Sequence, residues 1–140
     1  MTAIMVDSNV LLDLGSHDPT WSKWAAEAIE RAANRARLVI NPIVYAEVSV
    51  RYSRIEDLED ALSAMLFERE QIPYEAAFLA GKVFLEYRRR GGPRGSLLPD
   101  FLIGAHAAVA GYDLLTRDVG RYQTYYPRLT LITPQPRYLS

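Results

Sequence analysis

Four acidic residues, Asp7, Glu47, Asp100 and Asp118, each stand beside or inside an apolar run that a folded chain would bury. Asp7 ends Ile4-Met5-Val6, and Glu47 lies within Ile43-Val44-Tyr45-Ala46-Glu47-Val48. Asp100 opens Asp100-Phe101-Leu102-Ile103, and Asp118 closes Leu114-Leu115-Thr116-Arg117-Asp118. A carboxylate at the margin of a core is costly unless something neutralises it. The chain has no cysteine and two histidines, which removes disulfides, thiolate metal sites and cysteine nucleophiles together. The economical neutraliser for several acids at once is then a hard divalent cation with oxygen ligands.

Positioning such residues requires a scaffold, and the sequence outlines one. Residues 2–6 read as a short buried strand, and Ser8 to Leu14 as a short helix ending at Gly15. Asp18-Pro19 is a cap followed by proline in the first helical turn, opening a helix to about Ala33. Arg37 to Ile40 is a second strand, and Asn41-Pro42 repeats the cap-and-proline start for the helix that holds Glu47. Ser53-Arg54-Ile55-Glu56 has the form of a capping box, predicting a helix through about Phe67. Pro73 starts a long helix to about Arg90, and the loop Gly91 to Gly95 precedes an almost wholly apolar helix from Ser96 to Ala110. Leu114–Thr116 and Leu129–Ile132 read as late strands, and Pro134-Gln135-Pro136 cannot continue regular structure.

Short buried strands alternating with helices predict a three-layer α/β/α fold with a short, mostly parallel central sheet. In such sheets, sites gather beyond the carboxyl ends of the strands. Asp7 and Asp118 follow strands, Asp100 falls in the first turn of the apolar helix, and Glu47 follows the second strand. One rim of the sheet therefore suits all four.

The 140 residues fit one domain, 1–140, and 49% apolar content is too high for a disordered chain. No apolar run is long enough to cross a bilayer, and residue 1 leads directly into a strand with no basic leader or cleavage site. A cytoplasmic protein without a membrane partner is expected. Net charge is −1, so no global field draws nucleic acid. Of the 16 Lys and Arg residues, only Lys23 and Lys82 are lysine. Arginine forks suit phosphate, although GC-rich coding explains the bulk of such a bias.

At these four segments the chain resembles the PIN-domain ribonucleases, and most closely the VapC-type toxins of toxin–antitoxin pairs. The resemblance rests on Val6-Asp7-Ser8-Asn9-Val10-Leu11-Leu12, Asn41 to Val48, Leu98-Pro99-Asp100-Phe101-Leu102-Ile103-Gly104-Ala105-His106-Ala107, and Asp113 to Asp118. It spans the whole chain, with the motifs in order at family-like spacing. It implies a metal-dependent endoribonuclease with Asp7, Glu47, Asp100 and Asp118 as catalytic, metal-binding acids. It also implies Mg²⁺ or Mn²⁺ as cofactor, RNA as substrate, a cognate antitoxin protein as partner, and a homodimer. Ser8 or Asn9, and Thr116, match the polar residues that often accompany the acids. Pro99 departs from the family, where many relatives have a small or acidic residue. Asp118 falls at the family's least constant acid. The reaction expected is phosphodiester hydrolysis by a metal-activated water.

The same residues have other possible uses. Asp7 could simply cap the helix after it, Asp100 could favour a helix dipole, and Asp118 could open a turn before Gly120. Asp13, Asp57, Asp60 and Asp113 read as structural or solvated, and His106 as a core histidine. Arg90, within Arg88-Arg89-Arg90, and Arg94 form a basic patch that suits either a helix end or an RNA backbone. Arg117 suits an ion pair or a phosphate. Tyr122, Tyr125 and Tyr126 suit packing better than base stacking. A signalling receiver domain is set aside because both lysines fall on predicted helices, away from a late strand. An RNA-processing PIN nuclease that is not a toxin, or an inactive PIN binding module, are the alternatives. Leu58, Leu62, Met65, Leu66, Phe67, Phe78 and Phe84 predict more apolar surface than one core can bury, and so a groove for the antitoxin.

Overall fold

The structure, a computed structural model, describes residues 3–63, 65, 67–93 and 97–134. Arg94, Leu66 and the tail beyond Pro134, all part of the expectations above, lie outside the described residues. In chain order the elements are β1 (Ala3–Val6), α1 (Ser8–Leu14), α2 (Pro19–Ala33), β2 (Arg37–Ile40), α3 (Pro42–Ser49) and α4 (Ile55–Ser63). Then follow β3 (Glu68–Arg69), α5 (Tyr74–Arg89), α6 (Leu97–Ala110), β4 (Asp113–Leu115), α7 (Val119–Tyr125) and β5 (Leu131–Ile132).

The strands form one sheet in the order β3-β2-β1-β4-β5, and every pairing is parallel. The chain steps outward from β1 through β2 to β3, returns across the sheet to β4, and continues to β5. Right-handed crossovers then put α1–α4 on one face and α5–α7 on the other, giving the three layers expected. The strand order reverses between β1 and β4, which makes their carboxyl ends a switch point where the connections diverge. The register there pairs Val6 with Leu115, and the Asp7 N–H extends the ladder to the Leu115 carbonyl at 2.9 Å.

The caps behave as their sequence predicts. Asp18 accepts from the N–H groups of Thr20 and Trp21 at 3.0 and 3.3 Å, and Asn41 from those of Ile43 and Val44, both at 3.0 Å. The capping box does not close: α4 starts at Ile55, and Glu56 accepts instead from Arg54 Nε at 3.4 Å. The same helix stops at Ser63 rather than near Phe67, so that the chain can enter β3, which sequence reading missed. The second unanticipated element is α7. It packs on α6 at Gly104, where a Cβ would lie 2.7 Å from the Tyr126 ring and 3.0 Å from that of Tyr122. Glycine is what lets the two helices meet so closely.

His106 is buried in α6, as expected of a core histidine. Asn41 Oδ1 is committed to its cap, so Asn41 Nδ2 donates to His106 Nδ1 at 3.1 Å, and His106 Nε2 donates to Glu70 at 3.3 Å. Tyr112 also donates to Glu70, and burial holds the imidazole below its usual pKa, in the neutral form. The predicted apolar surplus is only partly realised. Leu58 and Leu62 are buried, whereas Phe78 is 68% and Tyr74 91% exposed on α5.

Candidate metal centre

Each of the four acids is delivered by a different element. Asp7 follows β1 and caps α1, with Oδ1 accepting the Ser8 N–H at 2.8 Å. Glu47 lies in α3, Asp100 in the first turn of α6, and Asp118 caps α7. Oxygens of Asp7, Glu47 and Asp100 lie within 4.8 Å of one another, although the residues are dispersed over most of the sequence. Asp118 is not in that group. Its Oδ2 lies 2.9 Å from Arg121 Nη1, and the same Nη1 contacts Asp100 Oδ2.

Asp7 is the most tightly held. Its Oδ2 accepts from Thr116 Oγ1 at 2.8 Å, Tyr122 OH at 3.0 Å and Asn9 Nδ2 at 3.4 Å. Ser8 Oγ donates to Glu47 at 2.7 Å and so ties α1 to α3. Asn9 donates also to Thr116 at 3.3 Å and accepts the Arg117 N–H at 3.2 Å. The Asp118 N–H in turn donates to Thr116 Oγ1 at 3.0 Å. Ser8, Asn9 and Thr116 therefore tie Asp7, Glu47 and the start of α7 at Asp118 to the scaffold.

Burial pushes the Asp7 carboxyl up to about 6, against the hydrogen bonds from Thr116, Tyr122 and Ser8 that favour its charge, with Glu47 raising it further. Asp100 also rises to about 6, through burial first, opposed by Arg121 and reinforced by Asp7, Glu47 and Asp118. The cluster is short of positive charge even with Arg121 present. An all-oxygen, under-compensated set of three carboxylates fits a hard divalent cation.

The predicted basic contacts fall elsewhere. Arg117 pairs with Asp13, Nη2 to Oδ1 at 2.8 Å, and its guanidinium lies 4.1 Å from the Trp21 ring centre. Arg90 donates to Glu86 at 2.9 Å and stacks over Tyr125. Arg121 escaped sequence reading, and so did the site contact of Tyr122, which packs as expected but also donates to Asp7. The signal for them was their spacing of three and four residues after Asp118, visible only once α7 is recognised as a helix.

The sequence pattern of the family described as PIN domain matches residues 4–125. Among solved structures, VapBC2 from Rickettsia felis bound to a promoter DNA fragment is similar with a TM-score of 0.72 and 20% identity, over 96% of this chain and 100% of that one. A toxin–antitoxin complex from Klebsiella pneumoniae matches at 0.69 and 24%, over 94% and 98% of the two chains. VapBC-1 from nontypeable Haemophilus influenzae matches at 0.72 and 21%, with the same coverage of 94% and 98%. No curated protein matches in sequence.

Proposed function

The chain belongs to the PIN domain family, and from that premise we propose that it is a Mg²⁺- or Mn²⁺-dependent endoribonuclease, the toxin of a toxin–antitoxin pair. The observation that supports this most is the convergence of Asp7, Glu47 and Asp100 oxygens within 4.8 Å at the switch point of the sheet. These three would hold the cation, with Asp118 beside them. When bound, the ion supplies a water of lowered pKa and charge stabilisation for the leaving oxygen of a phosphodiester.

The chain's own groups set the stage for that chemistry. Thr116, Tyr122 and the Ser8 N–H fix the Asp7 carboxylate from both sides, and Ser8 Oγ fixes Glu47. Held so, Asp7 and Glu47 need no reorganisation when an ion arrives. No side-chain nucleophile is required. RNA is the substrate in this reading, and the protein acts as one domain, 1–140, in the cytoplasm and as a homodimer. No helix among the described residues is long and apolar enough to cross a membrane.

The antitoxin reading draws on the similar toxin–antitoxin complexes and on the apolar stripe of Tyr74 and Phe78. The decisive test incubates the purified protein with RNA. Cleavage is expected with Mg²⁺ or Mn²⁺, none with Asp100→Asn, and none after exhaustive chelation. Undiminished cleavage after chelation would refute the metal mechanism. Growth arrest on expression, relieved by a co-expressed antitoxin, tests the toxin role separately.

A further inference from the structure

Resting on the metal-site reading above, we propose that Arg121 is the site's built-in counter-ion, a cation within the chain that a divalent ion must displace before the Oδ2 atoms of Asp100 and Asp118 can serve it. Arg121 Nη1 touches Oδ2 of both Asp100 and Asp118, so one guanidinium nitrogen stands between an acid of the three-carboxylate cluster and the acid left outside it.

The geometry of Asp118 explains why it is left outside. Its Oδ1 accepts the backbone N–H of Arg121 at 3.5 Å, capping α7, while its Oδ2 faces the Arg121 side chain at 2.9 Å. Both oxygens are engaged by the same residue. If the guanidinium leaves, Oδ2 is released while Oδ1 keeps its cap. The fourth acid therefore becomes available without unwinding the helix.

Departure is feasible. The Arg121 side chain is 31% exposed, unlike the almost fully buried Asp7. A long arginine stem swings into water readily, and a monovalent cation is a weaker partner for clustered carboxylates than a divalent ion. Arg117, the other arginine of this segment, is unsuited to the role because Asp13 and Trp21 hold it. Arg121 thus weakens metal binding by competition, and its charge sets how much.

The test measures Mn²⁺ binding by calorimetry on wild type, Arg121→Gln, Arg121→Lys and Asp100→Asn, each checked for intact folding. Arg121→Gln should bind Mn²⁺ about tenfold more tightly, which corresponds to about 1.4 kcal/mol. Arg121→Lys, which retains the charge, should stay close to wild type. Free guanidinium at about 20 mM, far below the molar concentrations that unfold domains, should weaken Mn²⁺ binding to Arg121→Gln and have less effect on wild type. Equal or weaker binding by a folded Arg121→Gln overturns the proposal, as does equal tightening in Arg121→Lys. If Asp100→Asn leaves Mn²⁺ binding unchanged, the metal-site reading itself fails. Loss in Asp100→Asn with no change in Arg121→Gln removes only the counter-ion.

Discussion

Replacing Asp7 by asparagine should stabilise the metal-free protein while abolishing cleavage. The Asp7 carboxyl is displaced from an ordinary 3.8 to about 6, chiefly by burial. At about 1.4 kcal/mol per tenfold in proton affinity, ionised Asp7 costs the metal-free fold about 3 kcal/mol at neutral pH. Asparagine removes that cost and keeps an acceptor for the Ser8 N–H, but weakens the bonds from Thr116 and Tyr122 by about 1 kcal/mol. The net gain of about 1–2 kcal/mol should raise the melting temperature by about 3–8 °C for a domain of this size. The sign of the pH dependence follows from the raised value. The carboxyl is protonated in both folded and unfolded states below about pH 4, so its ionisation carries no cost there. Stability is lost as pH rises toward and through about 6, and the loss is then complete. The advantage of Asp7→Asn should therefore be largest at about pH 7.5 and vanish at about pH 4. Thermal melts in chelator at both pH values test this, and added Mg²⁺ should stabilise wild type more than the mutant. A mutant that melts below wild type by the same margin at both pH values would refute the reasoning.

Tyr122→Phe deletes the hydroxyl that donates to Asp7 at 3.0 Å. A loss of about 1 kcal/mol in stability is expected, with the acid limb of the cleavage–pH profile moving to higher pH. Gly104→Ala places a methyl 2.7 Å from the Tyr126 ring, so α7 must shift. Denaturant titration should show a loss of about 1–3 kcal/mol, and cleavage should fall with it because Tyr122 moves. Phe78→Glu changes a side chain that is 68% exposed, so melting and cleavage should stay near wild type while inhibition by the antitoxin weakens. Full inhibition of that folded mutant would place the antitoxin on another surface.

Where local chemistry decides structure, the sequence was readable. Asp18-Pro19 and Asn41-Pro42 announce their helices because the cap and the proline act within one turn. The three clustered acids stood out because each interrupts an apolar run. What escaped depends on distant partners. Strand β3 is two exposed residues, Glu68 and Arg69, defined by pairing with Val39 and Ile40 rather than by any pattern of their own. Helix α7 contains Gly120, Thr124 and two tyrosines, a poor helical composition. It forms because Asp118 caps it and Tyr122 and Tyr126 bury on α6. For Arg117 the choice between an ion pair and a phosphate stayed open in the sequence because its partner, Asp13, lies 104 residues earlier. Arg121 was overlooked for the related reason that its tie to Asp100 crosses 21 residues.

The hydrogen bonds to Asp7 have a consequence for how the protein is made. Its partners Thr116 and Tyr122 lie 109 and 115 residues downstream, and Asp100 must arrive before the cluster exists. Chains emerge from the ribosome at about 5–20 residues per second, so a growing chain spends most of its synthesis with Asp7 exposed and alone. The three clustered acids come together only when α6 has been released and packed. A half-finished or prematurely terminated copy thus has no assembled cluster, and under the proposed function the activity would be switched on in a single late step.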